Sequence, residues 1–164
     1  DLDHALTEQP DLARALTRPF ATVHFRSNEE ERSLSMEQVT TCLNWLRRRG
    51  YVIVELGTTP TLTSADDVIH LDHRLPLPAQ FAVVAQSQCF IGVDSAFAHV
   101  ANAHGIPAAV LIGQYAHYTE HIPYSGPWRK QIGVRLIRSP KPVKHLSVTK
   151  ILTELDLAFP HRPL

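Results

Sequence analysis

Asp94 and Ser95 stand where an apolar run, CFIGV, gives way to a small-residue stretch, AFAHVANAHG. Read as the exit of a strand into a helix, this junction puts an acid and a hydroxyl beside the backbone N–H groups of Ala96, Phe97 and Ala98. The first N–H groups of a helix have no partner inside it. Ser95 or Asp94 can cap them. An anion can also take them, because the helix N-terminus favours negative charge and small side chains let an anion approach the backbone. That is the chemistry of a diphosphate cradle. Asp94 would itself repel phosphate, so its carboxylate suits a sugar hydroxyl or a backbone N–H. His99, one turn on, can reach a phosphate or sugar oxygen, or be a half-buried structural histidine. Asp-Ser is also an ordinary helix cap, and both readings stand at this point.

Other residues compete for attention. His70-Leu71-Asp72-His73 and His117-x3-His121 contain metal-ligand types, but no HxH or HExxH frames the first and the second falls in a loop, so solvated or capping histidines are the simpler reading. No metal is expected. Tyr124-Ser125-Gly126-Pro127-Trp128 reads as a turn whose aromatics either stack on a base or sugar or pack the loop. Arg47, Arg48 and Arg49 read as a solvated helix end. GxGxxG, GxxxxGK[ST] and GxSxG are absent, which weakens dehydrogenase, P-loop and α/β-hydrolase readings.

The elements that must position Asp94 alternate along the chain. Residues 2–18 are weakly helical, interrupted at Pro10; 20–25 form a strand; 26–34 are a polar loop. Ser35 with Gln38 suggests a capping box opening a helix over 35–49. Met36, Val39, Leu43 and Leu46 make its apolar stripe, and Gly50 follows its end. Strands are expected over 51–56 and 67–71, and a short helix over about 78–88. Then come the strand ending at Asp94, a helix closed by Gly105, a strand over 107–113, a long polar-aromatic loop, a short strand VRLIRS and a helix over 147–158. The strands are continuous apolar runs, which argues burial on both faces. Strands alternating with helices predict an α/β fold, a Rossmann-like parallel sheet flanked by helices, in a single domain over residues 1–164.

The chain has 164 residues, 44% apolar and 20% charged, with 16 Lys+Arg against 16 Asp+Glu. That balance gives no sign of binding to a nucleic-acid backbone or an anionic membrane. Cys42 and Cys89 lie in apolar segments without CxxC spacing, so buried thiols and a cytoplasmic location are expected. The chain begins at Asp1 and its only methionine is Met36, which raises the expectation of a piece of a longer polypeptide or of a processed N-terminus.

The stretch IGVDSAFAHVANAHGIPAAVLIGQ resembles the signature of glycosyltransferase family 9, the ADP-heptose:lipopolysaccharide heptosyltransferases and their relatives. Asp94, Ser95, His99, Ala101, Ala103, Gly105, Pro107 and Gly113 fall in register with it, and the order of elements over about 20–158 agrees. The resemblance implies one half of a GT-B architecture, the C-terminal domain that binds a nucleotide-diphosphate sugar. The N-terminal half of the same enzyme, with acceptor site and catalytic carboxylate, would be the partner. No cofactor is implied beyond the substrate. Membrane association would come only through the acceptor, and the chain alone would bind nucleotide weakly and turn over little. Carried over residue by residue, the donor site comprises Asp94, Ser95, Ala96, Phe97, His99 and Gln114, with Arg32 nearest the family's phosphate-binding Lys and Arg26 second. Ala96 stands where the family has Gly, and Tyr115, His117, Tyr118 and His121 replace its Pro-Thr-x-Pro, so another donor sugar is open. A non-catalytic binding or assembly module and half of a sugar-nucleotide epimerase are the alternatives.

Overall fold

The computed structural model describes residues 2–60, 65–114, 116 and 122–160. In chain order its elements are α1 (Leu2–Thr7), α2 (Pro10–Ala15), β1 (Phe20–His24), a 3-10 turn (Glu30–Arg32), α3 (Met36–Arg48), β2 (Val52–Glu55) and β3 (Val68–His70). There follow α4 (Leu77–Gln86), β4 (Cys89–Val93), α5 (Ala96–Ala103), β5 (Ala108–Ile112), α6 (Gly126–Arg129), β6 (Val134–Arg138), a second 3-10 turn (Val143–His145) and α7 (Val148–Ala158). Every expected strand and helix is present. Pro10 does more than interrupt: it occupies the first helical position of α2, where its missing N–H costs nothing. Within the loop expected after β5, the short helix α6 is an addition that sequence periodicity is too brief to signal.

The six strands form one parallel sheet in the order β3-β2-β1-β4-β5-β6. The chain builds outward from β1 through β2 to β3, returns to lay β4 on the other side of β1, and continues through β5 to β6. Parallel neighbours need crossovers, and the helices supply them on both faces. Alternate strand residues feed two cores. Ala21, Val23, Ile53, Ile91, Val93, Ala109 and Leu111 pack with α3 and α7, through Val39, Cys42, Leu46, Ile151 and Leu155. Phe20, Val54, Phe90, Ala108 and Val110 pack with α2, α4 and α5, through Leu12, Val83, Val84, Phe97 and Ala101. Burial on both sides explains the continuous apolar runs.

Local chemistry fixes the frame. Ser35 and Gln38 form the expected capping box on α3. Gln38 also donates to the carbonyls of Val143 and Leu146 at 3.0 and 2.9 Å, tying α3 to the second 3-10 turn. Met36 is not part of the buried stripe; it is exposed at the first helical position, and Trp45 takes the inner face instead. The arginines at the end of α3 are more than a solvated tail. Arg47 holds Asp67 through two bonds of 2.6 and 2.7 Å, while Arg49 stacks on Trp45 at 3.6 Å and pairs with Asp156. Gly92 permits the close approach of β1 and β4, for a Cβ there would lie 2.5 Å from the His24 carbonyl oxygen.

Candidate functional site

The reversal between β1 and β4 is a topological switch point, where open parallel sheets leave a crevice beyond their carboxyl ends. His24 ends β1 beside Gly92 of β4, and Asp94 and Ser95 follow β4 directly. Asp94, Ser95, Ala96, His99 and Arg32 of the sequence-predicted residues therefore gather at the switch point.

Ser95 does not cap α5. Its backbone is fully extended, with φ −162° and ψ 171°, and its side chain makes no capping bond. Asp94 does not cap either; its carboxylate is used elsewhere. Both outcomes correct the capping expectation. Ser35 and Ser147, by contrast, accept from the third residues of α3 and α7. The Ser95 hydroxyl is buried with no hydrogen-bond partner. The first helical bond of α5 runs from the His99 N–H to the Ser95 carbonyl at 3.3 Å, so the Ala96, Phe97 and Ala98 N–H groups precede the ladder. Ala96, which stands where the family has glycine, is exposed, while Phe97 and Ala98 are buried. Phe97 faces the other way, buried against His24 and Phe81.

Asp94 is the hub of a polar network. Its Oδ1 accepts from the Tyr124 hydroxyl at 2.7 Å, and its Oδ2 from Arg32 Nη2 at 3.3 Å. The same Arg32 nitrogen donates to the Asp94 carbonyl at 3.0 Å. His99 Nε2 stands 3.9 Å from Oδ1. Arg32 is delivered by the loop after β1, which folds back on itself: Leu34 N–H bonds the Phe25 carbonyl, and Ser27 N–H bonds Ser33 Oγ, both at 3.0 Å. Of the two arginines considered, Arg32 meets Asp94, while Arg26 is exposed and outside this network. Gln114, beyond β5, donates its backbone N–H to the Lys141 carbonyl at 2.9 Å and its side-chain amide to the Ala116 carbonyl at 3.2 Å, away from Asp94's partners. The run Glu29–Glu31 flanks Arg32 in sequence without displacing it from Asp94.

Sequence reasoning gave Tyr124 no fixed place. It is buried, packed edge-on against Trp128 at 5.1 Å and against His99 at 4.9 Å. Burial and the neighbouring Asp94 carboxylate push its phenol well above its ordinary pKa, so it stays a donor. Beneath the crevice lies His24. Desolvation lowers its pKa to about 4, which keeps the ring neutral at pH 7. Its Nδ1 is buried without a partner. The positive side of the site is therefore Arg32 and the α5 N-terminus.

Two strands away, Glu55, Gly57, Thr59, His70 and Asp72 line a shallow indentation beyond β2 and β3, without room for a water. His70 Nδ1 lies 2.6 Å from the buried Glu55 carboxylate, while the His73 side chain is 89% exposed. These two histidines do not converge, and among the described residues no cluster of three His, Cys, Asp or Glu is placed to hold a metal. Tyr115, His117, Tyr118 and His121 lie outside the described residues. Among the described residues no helix is long and apolar enough to cross a membrane.

No protein-family model and no curated protein matches this chain. Solved structures do. The glycosyl transferase family 9 structure from Veillonella parvula is 14% identical with a TM-score of 0.72, over 94% of this chain and 51% of that one. The E. coli heptosyltransferase WaaC with ADP is 14% identical with a TM-score of 0.65, over 90% of this chain and 48% of that one. The Methanocaldococcus jannaschii UDP-GlcNAc 2-epimerase in complex with UDP-GlcNAc and UDP is 9% identical with a TM-score of 0.59, over 98% and 44%. The chain spans about half the length of each. In fold as in its signature stretch, then, this chain resembles glycosyltransferase family 9.

Proposed function

We propose that this chain is the donor-binding, C-terminal half of a cytoplasmic GT-B glycosyltransferase, which transfers a sugar from a nucleotide diphosphate to a glycan or lipid-linked acceptor. One observation carries the reading. At the β1/β4 switch point, the uncapped first turn of α5 is exposed at Ala96, and Arg32 is held beside it by Asp94. A diphosphate there meets backbone N–H groups, the positive end of a helix and a guanidinium able to pair with two phosphate oxygens. The Ser95 hydroxyl, without a hydrogen-bond partner among the described residues, becomes one more donor. His99, half exposed and 3.9 Å from Asp94, is available to a sugar or phosphate oxygen of the same ligand.

The chemistry divided between halves follows. A base on the N-terminal half takes the proton of the acceptor hydroxyl. This half meets the negative charge that grows on the departing diphosphate, through the Ala96–Ala98 amides and Arg32. Arg26 and Gln114, outside the Asp94 network, serve this reading as secondary donor contacts.

Calorimetric titration of the folded chain with ADP, UDP, GDP and CDP tests the donor site. Binding of one of them in the micromolar to millimolar range is expected. Silence from all four at millimolar concentration would remove it. A non-catalytic module of the same fold is the second reading, favoured by the Arg32–Asp94 ion pair already closed across the site; it predicts that silence. An epimerase predicts an epimerised sugar nucleotide from the complete protein without any acceptor.

A further inference from the structure

Tyr124 spends its hydroxyl on Asp94. Its ring is accounted for by the apolar core, where it meets Trp128 edge-on at 5.1 Å and stays 2% exposed. Phenylalanine would fill that space equally well. The hydroxyl instead bonds Asp94 Oδ1 at 2.7 Å, on a carboxylate whose side chain is 26% exposed at the mouth of the site. The other oxygen and the Asp94 carbonyl both engage one nitrogen of Arg32. A carboxylate held at both oxygens has less freedom to rotate, and this restricts the guanidinium that it meets. The groups facing Asp94 are Arg32 from the loop after β1, His99 from α5 and Tyr124 from the segment between β5 and β6. That segment is itself pinned to α5, where Asn102 Nδ2 donates to the Ser125 carbonyl at 3.0 Å.

We infer that Tyr124 is a positioning residue: acting through Asp94, it holds the Arg32 guanidinium beside the first turn of α5 for an anionic, diphosphate-bearing ligand. The inference rests on the donor-site reading and extends the site to a segment that contacts no part of it in sequence. Burial keeps the phenol protonated, which secures its role as donor. In this arrangement Asp94 is not mainly a sugar ligand. It is the joint between a buried tyrosine and a phosphate-binding arginine.

The test is a double-mutant cycle on binding of whichever of ADP, UDP, GDP and CDP the wild-type chain binds most tightly. Tyr124→Phe keeps the ring and removes the bond. It is expected to weaken binding about tenfold, the usual worth of one hydrogen bond to a charged group. Arg32→Gln is expected to weaken it at least as much. The variant carrying both should bind like Arg32→Gln alone, since Tyr124 acts only through Arg32. Asp94→Asn is the second variant, and Tyr124→Phe added to it should likewise cost nothing more. A merely structural tyrosine would give losses that multiply. Multiplying losses, or a folded Tyr124→Phe protein that binds as wild type does, would overturn the inference and leave the donor site standing. Failure of the wild-type chain to bind any of the four would overturn both.

Discussion

Replacing His24 with Gln should flatten part of the acid dependence of folding. His24 ends β1 under the crevice, with its ring 4.8 Å from that of Phe97. Its folded pKa is about 4 because burial penalises the charged ring, against an ordinary value of 6.5. Below pH 6.5 the unfolded chain takes up a proton that the folded chain refuses until about pH 4. The unfolded state therefore holds more protons in this window, and stability falls as pH falls through it. Above pH 6.5 the ring is neutral in both states and the effect vanishes. A gap of about 2.5 pH units at 1.36 kcal/mol each amounts to about 3 kcal/mol once pH reaches 4, and about 2 kcal/mol of that is already lost by pH 5. Urea unfolding followed by circular dichroism at pH 8 and pH 5 measures it. The other histidines and the carboxylates titrate in both proteins, so the comparison of wild type with His24→Gln isolates this ring. The wild type should lose about 2 kcal/mol more than the variant between the two pH values. Parallel losses would refute the reasoning, and so would a ring-proton titration placing the folded pKa near 6.5.

Three further outcomes follow from packing and charge. Gly92→Ala should destabilise the fold by about 2 kcal/mol or more, because its methyl group would meet the backbone of β1, and thermal melts would show it. Cys42 and Cys89 are buried and their thiols are pushed up to about 12, so a thiol-specific reagent should label neither until the chain is unfolded. Arg47→Ala should change stability by under about 1 kcal/mol despite its two short bonds to Asp67, since both partners are largely exposed; a larger loss in urea titration would contradict that reading.

Much of this protein is written in local order. Continuous apolar strands, capping serines and chain-reversing glycines specify βα units without reference to distant residues. Ser35 with Gln38 is a contact of three positions, and it forms as read. The signature from Ile91 to Gln114 is equally local, because a strand, a turn and a helix N-terminus are consecutive in the chain. Serine at a helix start does not by itself tell whether it caps. Ser147 does and Ser95 does not, and the difference lies in what surrounds the turn.

What the sequence by itself determined is the class of fold and the address of the site, because both follow from short-range periodicity and from one strand-to-helix junction. What only the tertiary structure decided is how that site is wired. Arg32, Asp94 and Tyr124 are separated by 62 and 30 positions along the chain, and no spacing rule joins them. They meet because the sheet order places β1 against β4, bringing the loop that follows β1 over the end of β4, and because Tyr124 and Ser125, ahead of α6, lie against α5. The partner of a charged group is chosen by which elements share an edge of the sheet, and that choice is made only when the chain closes.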